Sequence, residues 1–255
     1  MSPCFFSIMG NLWHSVNLVM KESDIVVIVL DARFITETIN HEIVRKINEQ
    51  KKPYLFVVTK SDLKESIDKS KIPEPYVIVS STERRGKSAL RERLLIIAEK
   101  RYGRKCAVKV GVLGYPNVGK SSVINMLKGR HSASTSIMSG HTRAEKFIRA
   151  DNRILLMDTP GVIPYGENDQ VKHVLIGTTD FTKVKHPETI LEDIMERYPG
   201  VIEKHFGVTP DDSRSGTIEK IAMKKGLLRK GGLPDTDRAA RMIIRLIQTG
   251  KLRIQ

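Results

Sequence analysis

The sequence predicts an α/β domain built on a mostly parallel sheet with helices on both faces, followed by a small all-α region. Three observations predict it. Short runs rich in β-branched residues alternate with longer stretches of helical spacing, an order that yields a parallel sheet covered by crossover helices. The runs are apolar at nearly every position, as strands buried on both faces must be. Beyond about residue 176 the runs cease and only helical spacing continues, punctuated by Pro187, Pro199, Pro210, Gly231, Gly232 and Pro234. The expected division is therefore an α/β domain over residues 1–176 and an all-helical domain over 177–255.

The first strand is expected at residues 25–30, with sequence IVVIVL, and helical spacing follows over 36–50. Strands are expected at 54–58 and 76–79, a helix over 86–102, a strand at 108–113, a helix over 120–128 and a strand at 154–157. In the C-terminal region, residues 188–198, 217–226 and 235–249 carry apolar side chains three and four apart.

Composition narrows the class. The chain has 255 residues, 40% of them hydrophobic and 28% charged, which suits a folded core and argues against a disordered, collagenous or disulfide-stapled protein. The longest apolar stretch, 25–30, falls far short of the roughly 20 residues that cross a bilayer, so no membrane association is expected. Cys4 and Cys106 suggest neither a zinc site nor a disulfide framework, and residues 1–10 lack the basic start of a secretory signal, which together favour a reducing, cytoplasmic location. The 43 Lys and Arg against 29 Asp and Glu leave a net charge of +14, which points to a polyanionic partner, nucleic acid before membrane.

The most specific motif is Gly114-Tyr-Pro-Asn-Val-Gly119-Lys120-Ser121, a G-x-x-x-x-G-K-S phosphate loop between a strand and a helix. Its backbone N–H groups and the helix N-terminus attract phosphate oxygens, Lys120 reaches the β- and γ-phosphates, and the Ser121 hydroxyl meets Mg²⁺. Asn117, Val118, Gly119, Lys120, Ser121 and Ser122 make up the phosphate-side contact set. Asp158-Thr-Pro-Gly161 ends the next strand, where Asp158 can hold Mg²⁺ through water and Gly161 can offer its N–H to a γ-phosphate. Thr59-Lys60-Ser61-Asp62 resembles the [NT]-K-x-D guanine-reading element of GTPases. Asp62 would accept from the guanine N1 and N2 donors, which adenine lacks, and the Lys60 stem would pack on the ring, so an ATPase is disfavoured. Ser81-Thr82 resembles the weaker S-A-x element that meets guanine O6.

The order of these elements is informative. Ordinary GTPases place the phosphate loop first and the guanine elements last, whereas here the guanine elements precede the phosphate loop. Asp31-Ala-Arg33 adds a D-A-R motif. The sequence thus resembles the circularly permuted GTPases, and over essentially the whole chain it is similar to ribosome-assembly GTPases of the YlqF/RbgA type, including Glu192–Phe206, Gly231-Gly232-Leu233 and the helix after Asp235. The resemblance implies a switch that binds GTP and GDP with Mg²⁺, hydrolyses GTP slowly, acts as a monomer, and binds the large ribosomal subunit or its precursor through rRNA in the GTP state.

Thr142, in Gly140-His-Thr142, is the expected switch I threonine and a Mg²⁺ ligand; the Ser- and Thr-rich residues 131–139 read as the mobile switch segment. A water-orienting Gln would follow Asp158-Thr-Pro-Gly161, but Val162 stands there, which places the catalytic group elsewhere. Asn117 matches the asparagine that helps hold K⁺ in potassium-dependent relatives; it could equally shape the loop. Lys120, Thr142 and Asn117 form the expected catalytic set. The family's N-terminal histidine has no counterpart, since its position falls near Ile8; His14 and His141 are the nearest alternatives.

The positive charge is concentrated. Residues 213–255 hold eleven Lys and Arg against three Asp and Glu, or +8 of the +14. Arg238, Arg241 and Arg245 share one helical face, and Lys220, Lys224 and Lys225 cluster on another helix, patterns suited to phosphate contacts. This segment has no aromatic residue, so folded RNA recognised by shape fits better than stacked single strands. The rival expectation is an RNA-binding scaffold whose nucleotide is structural and hardly turned over.

Overall fold

The computed structural model describes residues 13–14, 16–103, 107–128 and 147–254. The first unit holds strands β1 (Ile25–Asp31), β2 (Tyr54–Thr59), β3 (Tyr76–Ile78), β4 (Val108–Gly114), β5 (Phe147–Arg149) and β6 (Ile154–Met157), with helices α1 (Ile35–Thr38), α2 (His41–Glu49), α3 (Lys87–Tyr102) and α4 (Lys120–Lys128). The sheet order is β3-β2-β1-β4-β6-β5, parallel throughout except for β5, which runs antiparallel at the edge.

Every residue of β1 is buried, because both faces are covered. Val26, Ile28 and Leu30 pack with Ile35, Ile39, Ile43 and Ile47 and with Val16, Val19 and Met20 from the helical residues 16–22. The other face carries Ile25, Val27 and Val29, with α3 against β1 and β3 and α4 against β4. The helix expected over 36–50 is in fact two. Asn40 is extended, and its side-chain carbonyl accepts from the N–H of Glu42 and of Ile43, both at 3.1 Å, so it caps α2 and ends α1.

Helices α5 (Gln170–Leu175), α6 (Pro187–Arg197), α7 (Val201–Phe206), α8 (Arg214–Lys224) and α9 (Thr236–Gln248) form the second unit. The division between the units falls after Glu167, and not at residue 176 as expected. The reason is α5, which buries Val171, Val174 and Leu175 in the helical unit. The Gln248 amide of α9 fastens it by donating to the carbonyls of Val174 and Thr179, each at 2.8 Å. The amphipathic α9 supplies Ala239, Ala240, Ile243, Ile244 and Ile247 to this core, opposite α6 and α8. Among the described residues, no helix is long and apolar enough to cross a membrane.

Candidate functional site

In open α/β sheets, ligands settle at the carboxyl ends of strands where the order reverses. Here that point lies between β1 and β4, since β2 and β3 extend the sheet to one side of β1 and β4 resumes on the other. The register aligns Asp31 with Thr59 and Val29 with Gly114, so the D-A-R, T-K-S-D and phosphate-loop segments all leave the sheet at one rim.

The phosphate loop turns through three residues of positive φ, Gly114 at +151°, Asn117 at +61° and Gly119 at +104°. A Cβ on Gly119 would come within 3.0 Å of the Thr59 hydroxyl, so the T-K-S-D segment packs directly on the loop. Asparagine tolerates the left-handed region, which gives Asn117 a loop-shaping part whatever its side chain binds. Val118 is buried and can present only backbone to a ligand, Ser121 is exposed and Ser122 half-buried. Lys120 is 7% exposed, with Nζ donating to the carbonyls of Tyr115 at 2.7 Å and Gly114 at 3.3 Å. Burial pushes its ammonium down to about 8, against the pull of the Asp158 carboxylate. A buried cation depressed in this way, beside a glycine-lined turn and a helix N-terminus, fits an anionic phosphate group.

The Thr59 hydroxyl reaches the carbonyls of Leu30, at 3.0 Å, and Val118. Lys60, left-handed at φ +57°, donates from Nζ to the Asn117 carbonyl at 2.8 Å and to Asp31 Oδ2 at 2.7 Å. Asp62 accepts from the Ser80 hydroxyl at 2.6 Å, and Ser80 Oγ accepts from the Glu83 N–H at 3.0 Å. Ser81 and Thr82, expected to meet guanine O6, follow directly on this serine. Both are exposed, whereas the buried serine that steadies Asp62 is Ser80.

Asp158 is exposed at the end of β6, close enough to act electrostatically on Lys120. Thr159 anchors the turn through its hydroxyl to the Val112 carbonyl. Gly161 lies against the phosphate loop so closely that a Cβ would stand 2.4 Å from Pro116 N and 2.5 Å from its Cα. The Val162 N–H donates to the Gly114 carbonyl at 3.1 Å, and its side chain is fully buried in the apolar core. That side chain cannot orient water. Ser121 and Asp158 offer the hard oxygens that Mg²⁺ takes beside phosphates. Thr142 and His141, like Ile8, lie outside the described residues, and His14 is exposed.

The sequence profile of the family described as 50S ribosome-binding GTPase matches residues 109–203. Two crystal structures of YlqF from T. maritima share the fold: the GNP-bound form at TM-score 0.64 with 20% identity over 94% of each chain, and the GDP-bound form at TM-score 0.63 with 22% identity over 92% of this chain and 94% of that one. The chain has the fold of a circularly permuted P-loop GTPase domain. An uncharacterized GTP-binding protein of Methanocaldococcus jannaschii is 38% identical over 93% of this chain and 65% of its own length. Nucleolar GTP-binding protein 2 of Saccharomyces cerevisiae is 29% identical over 94% and 52%, respectively. GTPase grn1 of Schizosaccharomyces pombe is 28% identical over 92% and 59%. The chain thus spans between about half and two thirds of the length of these relatives.

The basic residues of the helical unit divide into two kinds. Arg241 is half-buried: its guanidinium pairs with Asp237 at 2.8 Å and donates to the carbonyls of Phe181, Thr182 and Val184 at 3.0 to 3.2 Å. It clamps the 181–184 turn onto α9, so of the three arginines expected on one helical face it is the one tied to the fold. Lys220 pairs with Asp211 at 2.6 Å, Lys224 donates to the Gly207 carbonyl at 2.7 Å, and Lys225 lies over the Phe206 ring. Arg245 lies over Phe181, and Arg238 is exposed. Arg229 and Lys230, at the tip of the 228–234 turn, are also exposed, and the helix-face pattern passed them over because they sit between helices.

Proposed function

We propose that the protein is a GTP-binding and GTP-hydrolysing switch in assembly of the large ribosomal subunit, holding rRNA of a precursor particle in the GTP state and leaving after hydrolysis. The observation that carries this reading is the permuted order itself. The D-T-P-G turn, pressed on the phosphate loop through Gly161 and Pro116, runs within a few residues into the basic helical unit that begins at Asn168. A γ-phosphate contact at the Gly161 N–H is thereby converted into a change at the root of that unit. The 50S ribosome-binding description of the matching family and the nucleolar relatives support the same partner.

In this reading Asp62 and Lys60 read guanine, steadied by Ser80 and Thr59. Lys120 and the Asn117–Ser122 backbone hold the phosphates, and Ser121, Thr142 and Asp158 serve Mg²⁺, which when bound neutralises charge on the transferred phosphoryl. With Val162 turned into the core, intrinsic hydrolysis is slow and the particle accelerates it. Asn117, exposed on the loop, is the candidate K⁺ ligand. Lys220, Lys224, Lys225, Arg238 and Arg245 face rRNA, and the protein works as a monomer in the cytoplasm. The buried Val162 also favours a second reading, an RNA-binding scaffold with structural nucleotide. Multiple-turnover GTPase assays with and without ribosomal subunits, in K⁺ and then in Na⁺, separate the two. Stimulation by large subunits supports the switch; turnover that stays negligible under every condition supports the scaffold.

A further inference from the structure

A buried ionic cluster joins Lys60 of the guanine-reading segment to Asp31 and Arg33, two residues outside the set expected to touch nucleotide. Asp31, at the end of β1, is 0% exposed. Its Oδ1 accepts from the Arg33 backbone N–H and from Arg33 Nε, each at 3.0 Å, and its Oδ2 accepts from Arg33 Nη2 at 2.7 Å. Arg33 therefore satisfies the carboxylate in bidentate fashion from two residues away. Lys60 is an additional partner, 2.7 Å from the same Oδ2. Burial raises the Asp31 carboxyl, but the two cations overrule it and hold it below the usual carboxylate range.

The carboxylate is also rigidly mounted. The Asp31 N–H donates to the Thr38 hydroxyl at 3.1 Å, and the next N–H, that of Ala32, donates to the Thr59 carbonyl at 3.0 Å, which ties β1 to the residue just before Lys60. Lys60 is held in the left-handed region, which costs a side-chain-bearing residue energy, and its ammonium is fastened at two points: Asp31 on one side and the Asn117 carbonyl of the phosphate loop on the other.

We propose that Asp31 is a positioning residue for nucleotide binding, acting by tethering Lys60 so that one ammonium bridges the guanine-reading segment and the phosphate loop. A lysine free to swing would lose rotamer freedom when a purine docks on its stem, whereas one fastened at its tip has lost that freedom already. The bridge also makes base and phosphate recognition depend on each other, because the Asn117 carbonyl belongs to the loop that cradles phosphate. Arg33 serves the arrangement by keeping the carboxylate ionised and fixed in the plane that Lys60 meets. The proposal rests on reading the crevice as a guanine-nucleotide site.

The test is a double-mutant cycle on GDP affinity, read with a fluorescent GDP analogue, using wild type, Asp31→Asn, Lys60→Met and the double variant. Asp31→Asn is expected to weaken GDP binding about tenfold, mainly through faster dissociation, when Lys60 is present, and to cost nothing further once Lys60 is Met. A merely structural Asp31 would lower the melting temperature while leaving affinity unchanged, or would lower affinity equally in both backgrounds; either result overturns the proposal. If Asp31→Asn fails to fold because Arg33 is left uncompensated, the pair Asp31→Leu and Arg33→Met removes acid and partner together and enters the same cycle. A wild-type protein that binds no GDP overturns the nucleotide reading and the proposal together, whereas an additive cycle in a GDP-binding wild type overturns the role of Asp31 alone.

Discussion

Nucleotide binding should become weaker as pH rises through the depressed range of Lys120. Burial among the loop carbonyls brings its ammonium from 10.5 down to about 8, with Asp158 the opposing influence. Bound phosphates restore the preference for the charged form. The sign follows: below pH 8 the free protein already carries the proton, and above it each binding event must take one up. Between pH 7 and 8.5 the protonated fraction of a group titrating at 8 falls about fourfold, so GDP affinity should fall about fourfold as well. Isothermal titration at pH 8.5 in two buffers of different ionisation enthalpy should show uptake of about three quarters of a proton per GDP. An affinity constant across this range, with no proton uptake, would refute the claim that Lys120 is a buried, phosphate-seeking cation. In the ligand-free protein the same depression acts on stability in the opposite sense. Between pH 8 and 10.5 the unfolded chain binds more protons at this lysine, so its contribution to stability rises with pH.

Further predictions concern the contacts around the loop and the basic unit. Gly161→Ala places a Cβ against the backbone of Pro116, where nothing flexible can yield; we expect a loss of about 1–3 kcal/mol by thermal melting together with weakened binding of GTP analogues. Thr59→Val keeps the packing on Gly119 and deletes the hydroxyl that joins Leu30 and Val118. GDP affinity should fall about fivefold or more, as the buried carbonyls lose their donor; unchanged affinity would mean that this link does not shape the site. Arg241→Ala should destabilise the protein by about 2–3 kcal/mol in denaturant melts, because it strips three carbonyls and Asp237 of their partner. Arg238→Ala should leave stability within about 0.5 kcal/mol, yet lower particle binding and reduce the salt slope by about one.

Much of this architecture was legible because it depends on local pattern. Strands β1, β2, β4 and β6 announced themselves as β-branched runs, since a strand buried on both faces tolerates little else. The G-x-x-x-x-G-K-S and T-K-S-D segments were legible as motifs of fixed spacing, and the sheet register brings them to one rim. The break at Asn40 was recorded in the sequence as a good N-cap, but the apolar spacing on either side masked it. β5 has three residues and a single pairing partner, too little for a pattern. The bond from Ser80 to Asp62, and the partners of Arg241, depend on which side chains face which neighbours after folding. Helical spacing alone placed Arg241 on one face with Arg238 and Arg245; only the 181–184 turn, some sixty residues away in sequence, shows it as a clamp. The D-A-R motif was visible as a match, but its link to Lys60 required the β1–β2 register.

The central claim is that nucleotide state governs when rRNA is held, and co-sedimentation with purified 30S- and 50S-type particles tests it most directly. The protein is mixed with each particle in the presence of GDP or a non-hydrolysable GTP analogue. The account predicts pelleting with 50S-type particles in the GTP-analogue state and release in GDP, and charge reversal at Arg238 and Lys230 should abolish pelleting without affecting nucleotide binding. Equal binding in the two nucleotide states, or a preference for 30S-type particles, would contradict it.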